Sequence, residues 1–340
     1  MASLIEINGS YGEGGGQVLR TAVSLAAIVG RPCRIFNIRS GRRNPGLAAQ
    51  HLTGVRAAAQ LCDGELEGAK LRSQEVRFQP DEIRGGSYQV SVGTAGAVTL
   101  VLQTLVPIAL QTDGRMTLEI KGGTDVTWSP LIDYFTHVHC HFLREWGAEI
   151  EVETLRRGFY PRGGGRVRVS IQPWADSPGP IHLKERGRVE AVEIWDVVSE
   201  DLRRARVAER QMEGFEEAWQ ERYPLGEVHQ LYVDSASPGT SFHAYAHCEK
   251  TRLGVCSIGR RGKRAEVVGR EAAELLLEEL ASGAAVDRWM ADQLIPYLGL
   301  YGGVIQTSRI TDHVRTNILV TEQFLPCRFS IEGTAIRCQR

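Results

Sequence analysis

The sequence predicts an α+β chain of α/β texture: a large domain of repeated β-α-β-α-β-β units with a smaller inserted α/β domain. Three observations lead there. Short alternating segments, glycine loops and helically spaced segments follow one another in a regular order over the first quarter of the chain. A second run in the same element order comes next. A proline-containing loop at 173–180 then opens a more highly charged stretch, and the pattern of the first two runs returns near residue 283. An insertion explains that return better than three beads on a string. The large domain is therefore expected at 1–183 plus 283–340, and the inserted domain at 184–282.

Element by element, residues 4–7 alternate like a strand, 11–16 form a glycine-rich turn, and 17–29 have helical spacing through Val18, Leu19, Ala22, Leu25, Ala26 and Val29. A strand at 34–38 and an alanine-rich helix at 46–61 follow. Strands at 76–79 and 88–92 are expected to complete the first unit. The second unit is read as helix 97–110, strand 116–120, helix 130–146, and strands 149–153 and 166–171. The inserted stretch reads as a strand at 189–197, a charged helix at 200–222, three further strands and an acidic helix at 265–280. The return is helix 286–300, strand 304–307, helix 313–324 and a closing strand pair.

Composition excludes several classes. The 340 residues are 42% hydrophobic, too apolar for a disordered chain, and they lack collagen's glycine period. Net charge is −1, which excludes a uniformly basic nucleic-acid binder. Charge is uneven, however: residues 1–60 carry seven arginines against Glu6 and Glu13. Seven cysteines without a C-x-x-C pair argue against a disulfide framework and a zinc ribbon. No signal peptide is visible, and with this cysteine usage a reducing cytoplasm or nucleus is the default, the cytoplasm being the expected compartment. The uncharged run 85–112 is interrupted by Thr99, Gln103, Thr104 and Pro107, and reads as a helix packed inside a protein, not in a membrane.

Four segments could carry chemistry. In Tyr11-Gly12-Glu13-Gly14-Gly15-Gly16-Gln17, glycines before a helix let backbone N–H groups approach a phosphate. Glu13 fits such a turn if a divalent cation sits between it and phosphate oxygens; the alternative is an ordinary loop acid favouring a helix N-terminus. Arg39, Arg42 and Arg43, with Arg20 one turn past the glycine loop, are either a phosphate pocket or a generic basic loop. His137, His139 and His141 invite a metal reading, but helical spacing separates His139 from the others and apolar neighbours dominate, so a structural role is expected. In Asp312-His313-Val314-Arg315-Thr316-Asn317, an imidazole at a helix start is either a nucleophile toward phosphorus or a surface side chain, and Asn317 is placed to fix the ring or a phosphate oxygen.

Together the segments resemble the RNA 3′-terminal phosphate cyclase family. The resemblance is carried by 9-GSYGEGGGQ-17, Ile38-Arg39-x-x-Arg42-x-x-Pro45-Gly46-Leu47-x-x-Gln50-His51, 158-GFYPRGGG-165, Ala291-Asp292-Gln293-Leu294 and Asp312-His313-x-x-x-Asn317, in the family's order along nearly the whole chain. It implies a large domain of three β-α-β-α-β-β units with a smaller insertion. It also implies ATP-dependent conversion of an RNA 3′-phosphate into a 2′,3′-cyclic phosphodiester. His313 would take AMP from ATP, pass it to the RNA 3′-phosphate, and the adjacent 2′-hydroxyl would displace it. Arg20, Arg39, Arg42 and Gln50 match positions lining the phosphate pocket. Gln103 matches a polar contact near the nucleotide, and Asp292 a contact to adenosine. Pro130 and Trp289 correspond to an adenine sandwich, with tryptophan where tyrosine is expected. Glu13 corresponds to the site of a divalent metal, Mg or Mn. Two other classes remain: a ribosome-assembly relative that binds without catalysing, against which His313 argues, and an enolpyruvyl-transferase-like enzyme of similar units whose arginines hold a phosphorylated metabolite.

Overall fold

The computed structural model describes residues 3–12 and 14–340. Three four-stranded sheets repeat one topology. The first contains β1 (Ile5–Asn8), α1 (Gly16–Val29), β2 (Cys33–Phe36), α2 (Ala49–Leu61), β3 (Glu65–Glu67) and β4 (Val76–Gln79), ordered β1-β2-β4-β3. The second contains β5 (Gly86–Ser91), α3 (Val98–Ala109), β6 (Met116–Gly122), the helical segment α4 (Ile132–Tyr134) and α5 (Cys140–Glu145), β7 (Ile150–Arg156) and β8 (Gly165–Ile171), ordered β5-β6-β8-β7. The third opens with β9 (Ile181–Leu183). An excursion then follows: β10 (Val189–Ser199), α6 (Val207–Trp219), β11 (Leu225–Val233), β12 (Thr240–Cys248), β13 (Thr251–Ile258) and α7 (Ala265–Ala281). The third sheet resumes with α8 (Arg288–Tyr301), β14 (Gly303–Gln306), α9 (Asp312–Phe324), β15 (Arg328–Glu332) and β16 (Ala335–Gln339), ordered β15-β16-β14-β9. In each of the three, the first two strands are parallel and the remaining pairings antiparallel. The excursion forms its own sheet, β11-β10-β12-β13, with α6 and α7 packed on an apolar core centred on Phe215, Trp219 and Phe242.

Two strand assignments differ from the sequence expectation. The segment expected to close the first unit, 88–92, instead falls largely in β5, which opens the second sheet by pairing parallel with β6. The missing strand of the first unit is β3. Its three residues, two of them exposed glutamates, are too few to show a period. The third unit is complete because β9, equally short, pairs with β14 across the excursion. The charged helix expected at 200–222 is broken: a 3₁₀ turn at Glu200–Ala205 ends at Arg206, whose φ of 51° is left-handed, and α6 starts after it. The helix expected at 130–146 starts later, at Ile132, and carries one π-helical turn, Phe135–His139.

Packing explains why helix ends converge on one place. α1 touches α2, α3 and α9, and α8 touches α9. Small residues allow the close crossings: Ser24 donates to the Thr104 carbonyl at 2.7 Å, and a Cβ on Gly54 would lie 3.3 Å from Thr104 Oγ1. α1 ends where Gly30 turns left-handed (φ 62°) and its N–H returns to the last carbonyls. The N-terminal turns of α1, α2, α8 and α9 all reach one cleft. Helix N-termini bring unpaired N–H groups and a partial positive charge, so the cleft favours anions before any side chain is counted.

Candidate active site

The cleft has a volume of about 1020 Å³. Its lining includes nine of the eleven expected site residues: Arg20, Arg39, Arg42, Gln50, Gln103, Pro130, Trp289, Asp292 and His313. Asn317 stands behind the lining, buried. Its amide accepts from Thr21 Oγ1 at 2.8 Å and donates to the Asp292 carbonyl at 2.7 Å, so it ties α1, α8 and α9 together. The expected metal residue, Glu13, lies outside the described residues.

One wall is basic. A Cβ on Gly16 would sit 2.0 Å from His51 Nε2, and one on Gly12 would sit 2.1 Å from Thr316 Oγ1. Glycine is therefore required for the first loop to press against α2 and α9. Arg39 is left-handed (φ 51°), an uncommon conformation for a long side chain, and donates to the Gly46 carbonyl at 2.8 Å. Burial pulls Arg20 down to about 10, with the Asp292 carboxylate partly opposing it. Arg39 is lowered by burial and then by the charge of Arg42. His51, beside them, is lowered to about 3, first by burial and then by Arg20 and Arg39, so its ring is neutral. Basic groups lowered by burial and by one another's charge are suited to receive an anion.

The other wall is flat and apolar. Trp289 is 37% exposed, and the Arg288 guanidinium lies 5.2 Å from its ring centroid. Gln103, on an otherwise apolar helix, donates to Gln293 Oε1 at 2.9 Å. That oxygen also meets His139 Nδ1 at 2.9 Å, and Gln293 Nε2 donates to the Trp289 carbonyl. This chain of bonds fixes the helix turn that presents Trp289. It also gives His139 a structural role. Burial lowers that ring to about 4.

His313 joins the walls. Thr311 caps α9 by accepting from Val314 N at 3.2 Å, which sets His313 in the first helical turn. Its ring is 44% exposed, and Nδ1 lies 3.9 Å from Asp292 Oδ2. Gln17 donates to that same carboxylate oxygen at 2.8 Å and to the His313 carbonyl at 3.2 Å. Thus α1, α8 and α9 converge on one imidazole–carboxylate pair.

Three contributors are not evident from sequence. Gln17 and Gln293 stand inside the family motifs, yet nothing local to them declares a role. Asp287 caps α8, accepting from Trp289 N and Met290 N at 3.0 and 2.9 Å, from Tyr134 Oη at 2.6 Å and from Gly254 N at 3.1 Å. Burial, then Glu279, raises its carboxyl to about 7. The one signal for it in the sequence is an aspartate directly before a helix. A different acidic cluster, Asp125, Asp133 and His243, has the spacing of a metal site. It already holds a cation, because Arg157 donates to Asp133 at 2.6 and 2.7 Å and to Asp125 at 3.4 Å.

A basic wall, a wall with an exposed indole and an imidazole between them are the fittings of a phosphate-handling enzyme. A family model described as RNA 3′-terminal phosphate cyclase matches residues 11–331. The chain belongs to the RNA 3′-terminal phosphate cyclase family. An RNA 3′-terminal phosphate cyclase of Staphylothermus marinus is 45% identical over 343 residues, spanning 97% of this chain and 95% of its own. Those of Methanopyrus kandleri and Pyrococcus furiosus are 43% and 44% identical, each spanning 97% of this chain and 96% of its own. Among the described residues no helix is long and apolar enough to cross a membrane.

Proposed function

We propose that the chain uses ATP to convert an RNA 3′-phosphate end into a 2′,3′-cyclic phosphodiester through a His313–AMP adduct. The observation that carries this reading is the imidazole of His313 beside Asp292, in the same cleft as Arg20, Arg39 and Arg42. The carboxylate favours the ring proton on Nδ1, which leaves the lone pair on Nε2 for attack. That lone pair forms the N–P bond to the α-phosphorus of ATP, and the P–O bond to pyrophosphate breaks. An oxygen of the RNA 3′-phosphate then takes the adenylyl group from the ring, which leaves neutral again. Finally the adjacent 2′-hydroxyl attacks the activated phosphorus, gives up its proton, and AMP departs.

The arginines serve the phosphates in each step, since charge fixed in a cleft needs no reorganisation as the reacting oxygens gain charge. Gln50 joins that wall; its Oε1 accepts from Ala97 N at 3.2 Å, which leaves the amide's N–H₂ end as a donor type for phosphate. Trp289 and Pro130 are read as the faces that hold adenine, with Gln103 and Asp292 supplying polar contacts to the nucleoside. Asn317 acts by holding Asp292. A divalent cation, Mg²⁺ or Mn²⁺, is assigned to Glu13, where it would neutralise the departing pyrophosphate. Residues 184–282 are read as an inserted domain, supported by the pairing of β9 with β14 across them. Seven unpaired thiols support a reducing compartment, the cytoplasm.

The test is intact-mass spectrometry after incubation with ATP and Mg²⁺ or Mn²⁺. A single AMP adduct, reversed by pyrophosphate, mapped to His313 and lost in His313→Ala, is the expected result. An adduct mapped to another residue, or cyclisation surviving His313→Ala, overturns the proposal.

A further inference from the structure

Trp128 is the most exposed large hydrophobic residue described, at 97%, and its backbone is left-handed (φ 67°). A bulky residue gains nothing from that conformation, and an indole standing in water contributes nothing to a core. Such outliers persist only where the surroundings over-determine them, and they cluster where ligands are met. The loop carrying Trp128 is held at both ends. Ser129 Oγ donates to the Val126 carbonyl at 3.0 Å, and Thr99 Oγ1 to the Pro130 carbonyl at 2.6 Å. The ring is thus presented at the rim of the cleft by a fixed platform.

A second exposed ring stands on the neighbouring loop. Tyr160 is 75% exposed. The base of its loop is bonded to the base of the Trp128 loop: Thr124 N donates to the Gly158 carbonyl at 2.9 Å, Gly158 N to Thr124 Oγ1 at 2.8 Å, and Asp125 bridges to Phe159. Beside Tyr160, Arg162 is exposed, with its backbone N–H bonded to Ser237. The next residue, Gly163, packs so closely on Ala95 that a Cβ would lie 2.7 Å from its Cα. The 93–96 strip continues to Gln50 of the phosphate wall, which a Cβ on Gly96 would approach to 3.0 Å. Two exposed rings, an exposed arginine and a strip of small residues thus stand on loops bonded or packed together, with Trp128 and Gln50 both lining the cleft.

We infer that Trp128 and Tyr160, with Arg162, form the landing surface for the last bases of the single-stranded RNA whose 3′-phosphate enters the cleft. The inference rests on the RNA reading of the cleft. The occupant follows from the surface: planar rings stack any base without regard to sequence, an arginine beside them meets the intervening phosphate, and the strip is continuous with the phosphate wall. A substrate defined only by its end needs this kind of sequence-tolerant grip.

The test uses the full chain and a 5′-fluorescein, 3′-phosphate decanucleotide RNA, with the dissociation constant read by anisotropy without ATP. Trp128→Ala and Tyr160→Ala should each weaken binding on the order of tenfold, the usual effect of losing one stacked base, while Trp128→Phe keeps most of the affinity. Replacing each of the three 3′-terminal nucleotides in turn by an abasic one should cost the wild type a similar factor at one position. It should cost Trp128→Ala nothing more there. Equal abasic losses in wild type and Trp128→Ala overturn the inference. So does a Trp128→Ala protein that binds RNA normally but forms the AMP adduct slowly, since the ring then belongs to adenosine. A wild-type chain that forms no adduct, yet shows the coupling between ring and base, would remove the proposed chemistry and leave this surface standing.

Discussion

Arg157 is buried and Arg39 half-buried, and the protein treats the two charges in opposite ways. Arg157, 8% exposed, is gripped by both oxygens of Asp133 and by Asp125. Burial alone would lower its pKa, but the two carboxylates outweigh that and raise it. Asp125 gains in turn: burial pushes it up, and Arg157 with His243 pulls it below its usual range. Arg20 and Arg39 are instead lowered by burial, which Asp292 partly opposes at Arg20 and the charge of Arg42 reinforces at Arg39. The first arrangement is electrostatically closed and holds two parts of the fold together. Under the proposed function, a bound phosphate would supply counter-charge to the second. Residue type is the same and burial acts to lower all three, so the surrounding carboxylates decide the direction of the shift.

The contrast can be broken by removing each kind of arginine. Arg157→Ala strands two carboxylates in the interior and should destabilise the fold by about 3–5 kcal/mol, read as a fall in the urea midpoint. A loss below about 1 kcal/mol would show that the cluster is solvated and the contrast false. Arg39→Ala should keep the urea midpoint near wild type yet slow AMP-adduct formation about a hundred- to a thousandfold, equivalent to roughly 3–4 kcal/mol of lost stabilisation. Unchanged adduct formation would take Arg39 out of the phosphate wall.

The histidines sharpen the same point at a smaller scale. His51 and His139 have folded-state pKa values near 3 and 4, both lowered by burial from 6.5. As pH falls below about 6.5 the unfolded chain takes up protons that the folded rings refuse. Stability is therefore full above that pH and is lost progressively toward pH 4. By linkage the loss at pH 5 is about 2 kcal/mol for each fully buried ring. Urea titrations at pH 7 and pH 5 should show it, and His139→Asn should flatten the slope by one ring's share. An identical slope in that variant would mean that His139 is not held neutral.

Much of this architecture is legible in the sequence because it is local. Glycine before a helix, arginines on a strand–helix loop, and Asp312-His313 at a helix start all declare themselves within a few residues. The helix packed inside the protein is legible too, since Gln103 on an apolar stripe must find a partner. That the partner is Gln293, 190 residues on, is not legible, because no local pattern encodes a crossing between units. β3 and β9 stay hidden because three residues cannot display an alternation. The exposure of Trp128 stays hidden because a tryptophan in a loop reads the same whether it is packed or presented. Asn317 reads from its helical spacing as a partner of the ring or of a phosphate, but burial turns its amide toward Thr21 and the Asp292 backbone.

Gln17 reaches Asp292 across 275 residues of chain, and Thr21 reaches Asn317 across 296. The glycine loop and its arginines leave the ribosome long before the imidazole that shares their cleft has been translated. Under the proposed function, a nascent chain would hold the arginine wall with nothing to react, and would consume nucleotide only after residues 292–317 had emerged and docked.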